Sequence, residues 1–364
     1  MVRLLLWAMA CLGASIAQSM AQTAPPTWDQ LAAAARREGT VVVIGPAHTE
    51  VRRVLPAAFK ARFGVNMDYL GGPGGVAAAR LRKERSVGIY SADVALAASG
   101  TLTSIFYPEQ MLDPLRPLLV MPDVLDKSKW KRGDLWFPDP EQTYVLRMFN
   151  SVWRLFSINT DFVKPEDMTS ARDLLLNPKF KGKIATHDPS VSGVGGNVAT
   201  HFYDQLGEDF VKQLYIGQQP VISRDERQLT DWMLRGTYPI VLGTDEAQAA
   251  KMRAEGFPVK EVYDLPGLTA PVTSGNGMIA VFNRAPHPNA TKLLVNWLAS
   301  KEGMEVYARL LNMSPTRNDI DDSSFVPPEN IPRPGVEYFD AFDWEYSVVT
   351  KAKVRLYMKE LLGR

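Results

Sequence analysis

The chain has 364 residues, 46% of them hydrophobic and 22% charged, with 41 Lys and Arg against 40 Asp and Glu for a net charge of +1. This composition excludes a disordered, collagen-like or coiled-coil chain, and a single cysteine excludes an intrachain disulfide scaffold. The balanced charge argues against a nucleic-acid partner, which calls for a basic surplus to neutralise phosphates.

At the N-terminus, Arg3 is followed by an uncharged apolar stretch over 4–17 and then by Gln18-Ser19-Met20-Ala21-Gln22. Small residues at 19 and 21 predict a secretory signal over 1–21, cleaved after Ala21. The stretch is shorter than the about 20 apolar residues of a transmembrane helix. Cys11, after Ala8-Met9-Ala10, leaves lipid attachment as an alternative. Cleavage after Ala21 removes the cysteine and suits export to the periplasm.

Thr27-Trp28-Asp29-Gln30 has the form of a capping box, and the helix it opens is predicted to stop before Gly39. Val41-Val42-Val43-Ile44 reads as a strand covered on both faces. The loop 45–50 leads into a helix with apolar residues on one face, in which Pro56 predicts a late start or a kink. Val65, Met67 and Tyr69 alternate as a second strand. The loop Gly71-Gly72-Pro73-Gly74-Gly75, a helix over 76–84 and a strand over 92–96 follow. This βαβαβ order predicts a doubly wound parallel sheet, with the loops 45–50, 71–75 and 98–101 sharing its ligand-binding rim.

Residues 113–145 read as irregular connecting structure, and an alternating stretch follows over 152–158. A second α/β pattern then has strands at 183–186, 221–223 and 240–242, with helices over 197–206 and 226–234. Another strand over 278–282, helices near 288–299 and 302–311, a Pro-rich tail and a final helix over 344–362 complete the chain.

Several segments occur in a telling order: EGTVVVIGPAHTEVRRVLPAAFKARFGV, SADVALAASG, FSINTDFV, NPKFKGKIATHDPSVSGVGG and NATKLLVNWLASKEGMEVYARL. Over nearly the whole mature chain this resembles the extracellular solute-binding proteins of ABC importers, in the branch of ferric-ion and aminophosphonate binders. The resemblance implies a type II periplasmic-binding-protein fold, α/β, with two lobes closing by a hinge on a ligand between them. It implies a first lobe of 27–152 plus 270–364, a second lobe of 153–269, a membrane permease as partner and a monomer. A sensory subunit or a secreted enzyme on the same scaffold are the alternatives.

His48 and Thr49 lie in the first strand-to-helix loop. The resemblance implies an iron ligand at the matching histidine. The adjacent tyrosine pair that would complete an iron site is missing, however, and Gly243-Thr244-Asp245-Glu246 stands in its place. Ferric iron therefore remains an alternative, with Asp245 or Glu246 as the acid, and His48 is equally read as a loop residue bonded to backbone. Ser190, Ser192 and Gly193 stand ahead of a helix, where free amides and the helix dipole favour an anion. The same segment also reads as an ordinary N-cap. Gly72 and Gly74 read either as backbone amides offered from the expected rim or as a bare turn, and Ser99 and Gly100 stand on the same rim, where the resemblance implies an acidic ligand and the sequence has none. Trp153-Arg154 at the first crossing suits an organic anion, by stacking and by pairing with a carboxylate, or simply packs the hinge. Asp225 at a strand end and Ser274 near the second crossing complete the set. No nucleophile elbow, zinc motif or nucleotide-binding loop is present, so no enzymatic activity and no cofactor are expected.

Overall fold

Three parallel strands open the first lobe of the computed structural model, which describes residues 27–364. The expected signal segment and Cys11 lie outside that range. Helix α1 (Trp28–Glu38) starts at the capping box, with the Thr27 hydroxyl accepting from the Gln30 N–H and the Gln30 side chain accepting from the Thr27 N–H. It ends at Gly39, whose φ of 80° lies in the left-handed region. Then come β1 (Thr40–Gly45), α2 (Thr49–Phe63), β2 (Asn66–Gly71), α3 (Gly74–Ser86) and β3 (Val94–Ala97). Pro56 sits within α2 without ending it. The irregular stretch holds α4 (Ser99–Thr101), β4 (Leu112–Asp113), α5 (Pro122–Leu125) and β5 (Leu146–Arg147), and leads to β6 (Ser151–Val152).

The second lobe comprises β7 (Phe156–Asn159), α6 (Ala171–Leu175), β8 (Ile184–His187), α7 (Val194–Leu206), α8 (Glu208–Lys212), β9 (Val221–Ser223), α9 (Glu226–Leu234), β10 (Ile240–Leu242), α10 (Glu246–Ala254) and β11 (Val259–Val262). The chain continues through β12 (Pro271–Thr273), β13 (Met278–Phe282), α11 (Pro288–Ala299), α12 (Lys301–Leu311), β14 (Phe339–Asp340) and α13 (Lys351–Leu361).

The first sheet runs β2-β1-β3-β13-β4, with β5 also on β13, and the second runs β11-β7-β10-β8-β9. Both are mixed, and for the first the βαβαβ order predicted parallel strands. β13 re-enters the first sheet only after the whole second lobe, so no local βαβ crossover fixes its direction, and it lies antiparallel to β3. β7, the first strand after the crossing, is antiparallel to β10 and β11. The first core packs Phe59 and Phe63 on Trp297, and the second gathers Phe156, Phe202, Phe210 and Ile240.

One long-range cap ties the first lobe together. Glu38, the last residue of α1, accepts from the N–H groups of Asn289 and Ala290 at 3.1 and 2.8 Å, at the start of α11. The α11 N-cap residue, His287, makes no side-chain capping bond of its own. Glu38→Ala is therefore expected to lower stability by about 1–2 kcal/mol, seen in urea unfolding as a lower midpoint at unchanged slope.

Between the lobes lies a three-stranded sheet, β14-β12-β6, which carries the crossings. β6 leads into β7, β12 returns toward β13, and β14 leads into the C-terminal helix. That last segment departs from the division drawn from sequence. Ala341, Phe342 and Tyr346 pack with Phe106 and Phe282 of the first lobe, but Val354 and Met358 are buried in the second core with Phe202. An amphipathic helix buries its apolar face wherever a groove receives it, and α13 finds one beside α7. The backbone is π-helical over Glu345–Thr350 and α-helical only from Lys351.

Candidate functional site

A cavity of about 320 Å³ opens where these crossings meet. Trp153 and Arg154, between β6 and β7, form one wall, and Pro271 and Thr273 of β12 form another. Phe342, Tyr346 and Lys351 come from the C-terminal crossing, and Ala98 from the end of β3. The second lobe contributes the start of α7, through Gly193, Val194, Asn197 and His201, together with Glu226 and Thr244.

The start of α7 is held by a buried charge. Asp188, fully buried just after β8, accepts from the Ser190 N–H at 3.0 Å and the Ser190 hydroxyl at 2.6 Å. Arg224 and Arg364 pair with its other oxygen at 2.9 and 2.6 Å. Burial alone would raise the Asp188 pKa, but the Ser190 bonds and the two guanidinium groups outweigh it and hold the carboxyl below its usual range. The chain turns into α7 at Gly193, whose φ of 132° suits glycine. The first N–H groups of a helix have no acceptor within it and carry the positive end of its dipole, and here that end borders the cavity.

Arg154 is anchored to its own lobe. Its Nη2 donates to the Thr244 carbonyl at 2.9 Å, and Glu261 lies 3.8 Å from its Nε. His201 is neutral: burial pushes its pKa down to about 4, and its Nε2 donates to the Thr269 carbonyl at 2.9 Å. The His201 Nδ1 is buried with no hydrogen-bond partner among the described residues. The half-buried Lys351 packs on the faces of Phe342 and Tyr346, its Nζ 5.3 and 5.4 Å from the ring centres. Burial lowers its pKa to about 8, and Asp340 opposes that shift.

Of the residues singled out from sequence, Trp153, Arg154 and Gly193 line this cavity. Ser190 does not offer its donors there, since both go to Asp188, and the Ser192 hydroxyl accepts from Arg355 at 2.9 Å. His48 caps α2, its Nδ1 accepting from the Val51 N–H, and Thr49 is the exposed first residue of that helix. Asp225 caps α9 and Asp245 caps α10, so both carboxylates serve backbone amides.

The three first-lobe loops do converge. Gly72 donates to the Gly45 carbonyl, and an added Cβ on Gly74 would fall 2.1 Å from the Thr101 hydroxyl. Only Ala98 of that rim lines the cavity; Ser99 is buried beside it and Gly100 is exposed. Ser274 is fully buried, its hydroxyl without a partner among the described residues, while its neighbours Thr273 and Gly275 line the wall. Among the described residues, no three His, Cys, Asp or Glu side chains are placed to hold a metal. Sequence reasoning missed His201, Phe342, Tyr346 and Lys351, and no local motif marks the last three.

Residues 45–305 match the family model described as bacterial extracellular solute-binding protein. No curated protein matches the chain. Among solved structures, it is similar to the periplasmic binding protein AfuA from Actinobacillus pleuropneumoniae with exogenous fructose-6-phosphate bound. The identity is 17%, over 90% of this chain and 99% of that one, with a TM-score of 0.66. It is also similar to the Trichodesmium protein IdiA (FutA) in complex with iron and citrate, at 17% identity over 89% and 99% of the two chains and a TM-score of 0.66. Iron-bound HitA from Pseudomonas aeruginosa aligns at 15% identity over 88% and 99%, with a TM-score of 0.62. At these identities the likeness is one of fold, the two-lobed type II periplasmic-binding-protein fold.

Proposed function

The chain belongs to the bacterial extracellular solute-binding proteins, and we propose that it captures a small organic anion between its lobes and delivers it to an ABC importer. The observation that carries this reading is the dipole-positive start of α7 opening into a cavity walled by Trp153, Phe342 and Tyr346. Such a cavity suits an acid group bearing an apolar body: the amides take the charge and the rings cover the rest. AfuA holds a phosphate ester and the Trichodesmium protein holds citrate with its iron, so organic anions are within the reach of this fold. The residues that would have served iron here, His48 and Asp245, act as helix caps instead.

Function follows from the three crossings. A ligand that touches both lobes stabilises the closed arrangement over the open one, and only that difference in affinity drives closure. The closed form is then what a permease in the membrane would recognise, with the protein acting as a periplasmic monomer after removal of its signal segment. No turnover is involved, and the ligand should be recovered unchanged.

Thermal unfolding against benzoate, citrate, 2-aminoethylphosphonate, fructose 6-phosphate, glucose and ferric ion tests the reading. At 100 times its Kd, a bound anion adds about 2.7 kcal/mol of stability, so Tm should rise by several degrees for at least one anion. A rise with glucose or ferric ion alone would overturn it.

A further inference from the structure

The C-terminal segment is a crossing whose two halves are buried in different lobes. Tyr346 packs in the first-lobe core, Val354 and Met358 pack in the second, and Lys351 falls between them where π-helix gives way to α-helix. π-helical turns recur at functional sites because they re-aim a side chain at some cost to the helix. Here the residue at the junction is a lysine that lines the same cavity as Gly193, Val194 and Trp153.

We propose that Lys351 is a ligand-binding residue whose ammonium takes the anion from the side opposite the α7 amides. This rests on the organic-anion reading above and deepens it. Arg154 is paired with Glu261 and bonded to a carbonyl, so its charge is already answered within the protein. Lys351 forms no ion pair among the described residues; Asp340, the carboxylate that acts on it, is held by Arg147 at 2.7 Å. A half-buried ammonium resting on two aromatic faces has lost water without gaining an ion pair, and an acid group in the cavity would supply one. The lysine is also carried on the helix that joins the lobes, so its engagement would couple capture to closure.

The proton balance of the site makes this testable. Asp340 on β14 acts on Lys351 and Tyr346 on the π-helical turn touches it, while Arg154 at the first crossing, His201 on α7 and Glu226 on α9 share the cavity with it. Of these, His201 is already neutral above about pH 4. Burial holds the Lys351 pKa down at about 8, and a bound anion would raise it. Its contribution to binding is therefore complete below pH 8 and falls away as pH rises toward the bound-state value.

Isothermal titration with citrate and with benzoate, both fully ionised from pH 7.5 to 9.5, would compare wild type with Lys351→Met and Lys351→Arg. For the anion that wild type binds, K351M should bind about tenfold or more weakly at pH 7.5, and that gap should narrow at pH 9.5. K351R should keep most of the affinity and lose the pH dependence. Equal binding by wild type and K351M overturns the role of Lys351 and leaves the organic-anion reading standing, whereas failure of wild type to bind citrate, benzoate, 2-aminoethylphosphonate and fructose 6-phosphate alike overturns both. Should K351M not fold, the wild-type profile decides: affinity unchanged from pH 7.5 to 9.5 overturns the proposal.

Discussion

Replacing Asp188 by alanine should cost about 3 kcal/mol of stability and loosen the whole entrance to α7. The carboxylate is fully buried and answers four donors: the amide and hydroxyl of Ser190, and the guanidinium groups of Arg224 and Arg364. The cost does not fall evenly. The Arg224 side chain is 68% exposed, so water can take over its charge, and its loss weighs little. Ser190 is 2% exposed, and its two donors would be left buried without an acceptor. Asp188→Asn keeps an acceptor for Ser190 and should recover about 1 kcal/mol. The pH dependence has a definite sign. A carboxyl held below its unfolded value stabilises the fold above about pH 4, and that contribution is lost as pH falls through the folded value. Urea unfolding at pH 7 and at pH 3.5 should show wild type losing more on acidification than D188N does. Equal midpoints for wild type and D188A at pH 7 would refute this account.

How much of this was legible in the sequence depended on how local the cause was. The capping box at Thr27 and the stop at Gly39 rest on residues within one turn, and both are present as read. The β-branched run at 41–44 marked β1 for the same reason. Strand direction was not legible, because β13 takes its neighbours from a chain segment on the far side of the second lobe. The site divides in the same way. Gly193 was marked by a helix start, which leaves a trace in sequence, and the pair Trp153-Arg154 by the crossing that the family resemblance implies. His48, Asp225 and Asp245 illustrate the converse. The residue types that can hold a ligand are also those that cap helices, and spacing alone does not separate the two uses. Phe342, Tyr346 and Lys351 meet the cavity only because the last helix crosses to the other lobe. Their hydrophobic spacing is equally satisfied by a helix that stays behind.

The second large effect is expected at Gly195. A Cβ built there would lie 2.3 Å from the His187 carbonyl oxygen, 2.6 Å from its carbon and 2.8 Å from the Asp188 carbonyl oxygen. All three are backbone atoms at the end of β8, which is paired with β9 through His187 and Ser223 and with β10 on its other edge. A flexible side chain could swing away from the new methyl; a paired strand cannot. The helix must move instead, and with it the amides that border the cavity. Gly195→Val should therefore destabilise the protein by about 3 kcal/mol and weaken anion binding by about a hundredfold, since a loss of roughly 2.7 kcal/mol at the site is two decades in Kd. Gly72→Ala is the matched control, because a Cβ there meets nothing within 4 Å and Gly72 keeps its N–H bond to Gly45. It should leave Tm and affinity within error of wild type. If G195V bound as tightly as wild type, the close seating of α7 on β8 would not set the cavity, and the anion would have to be held from the crossings alone.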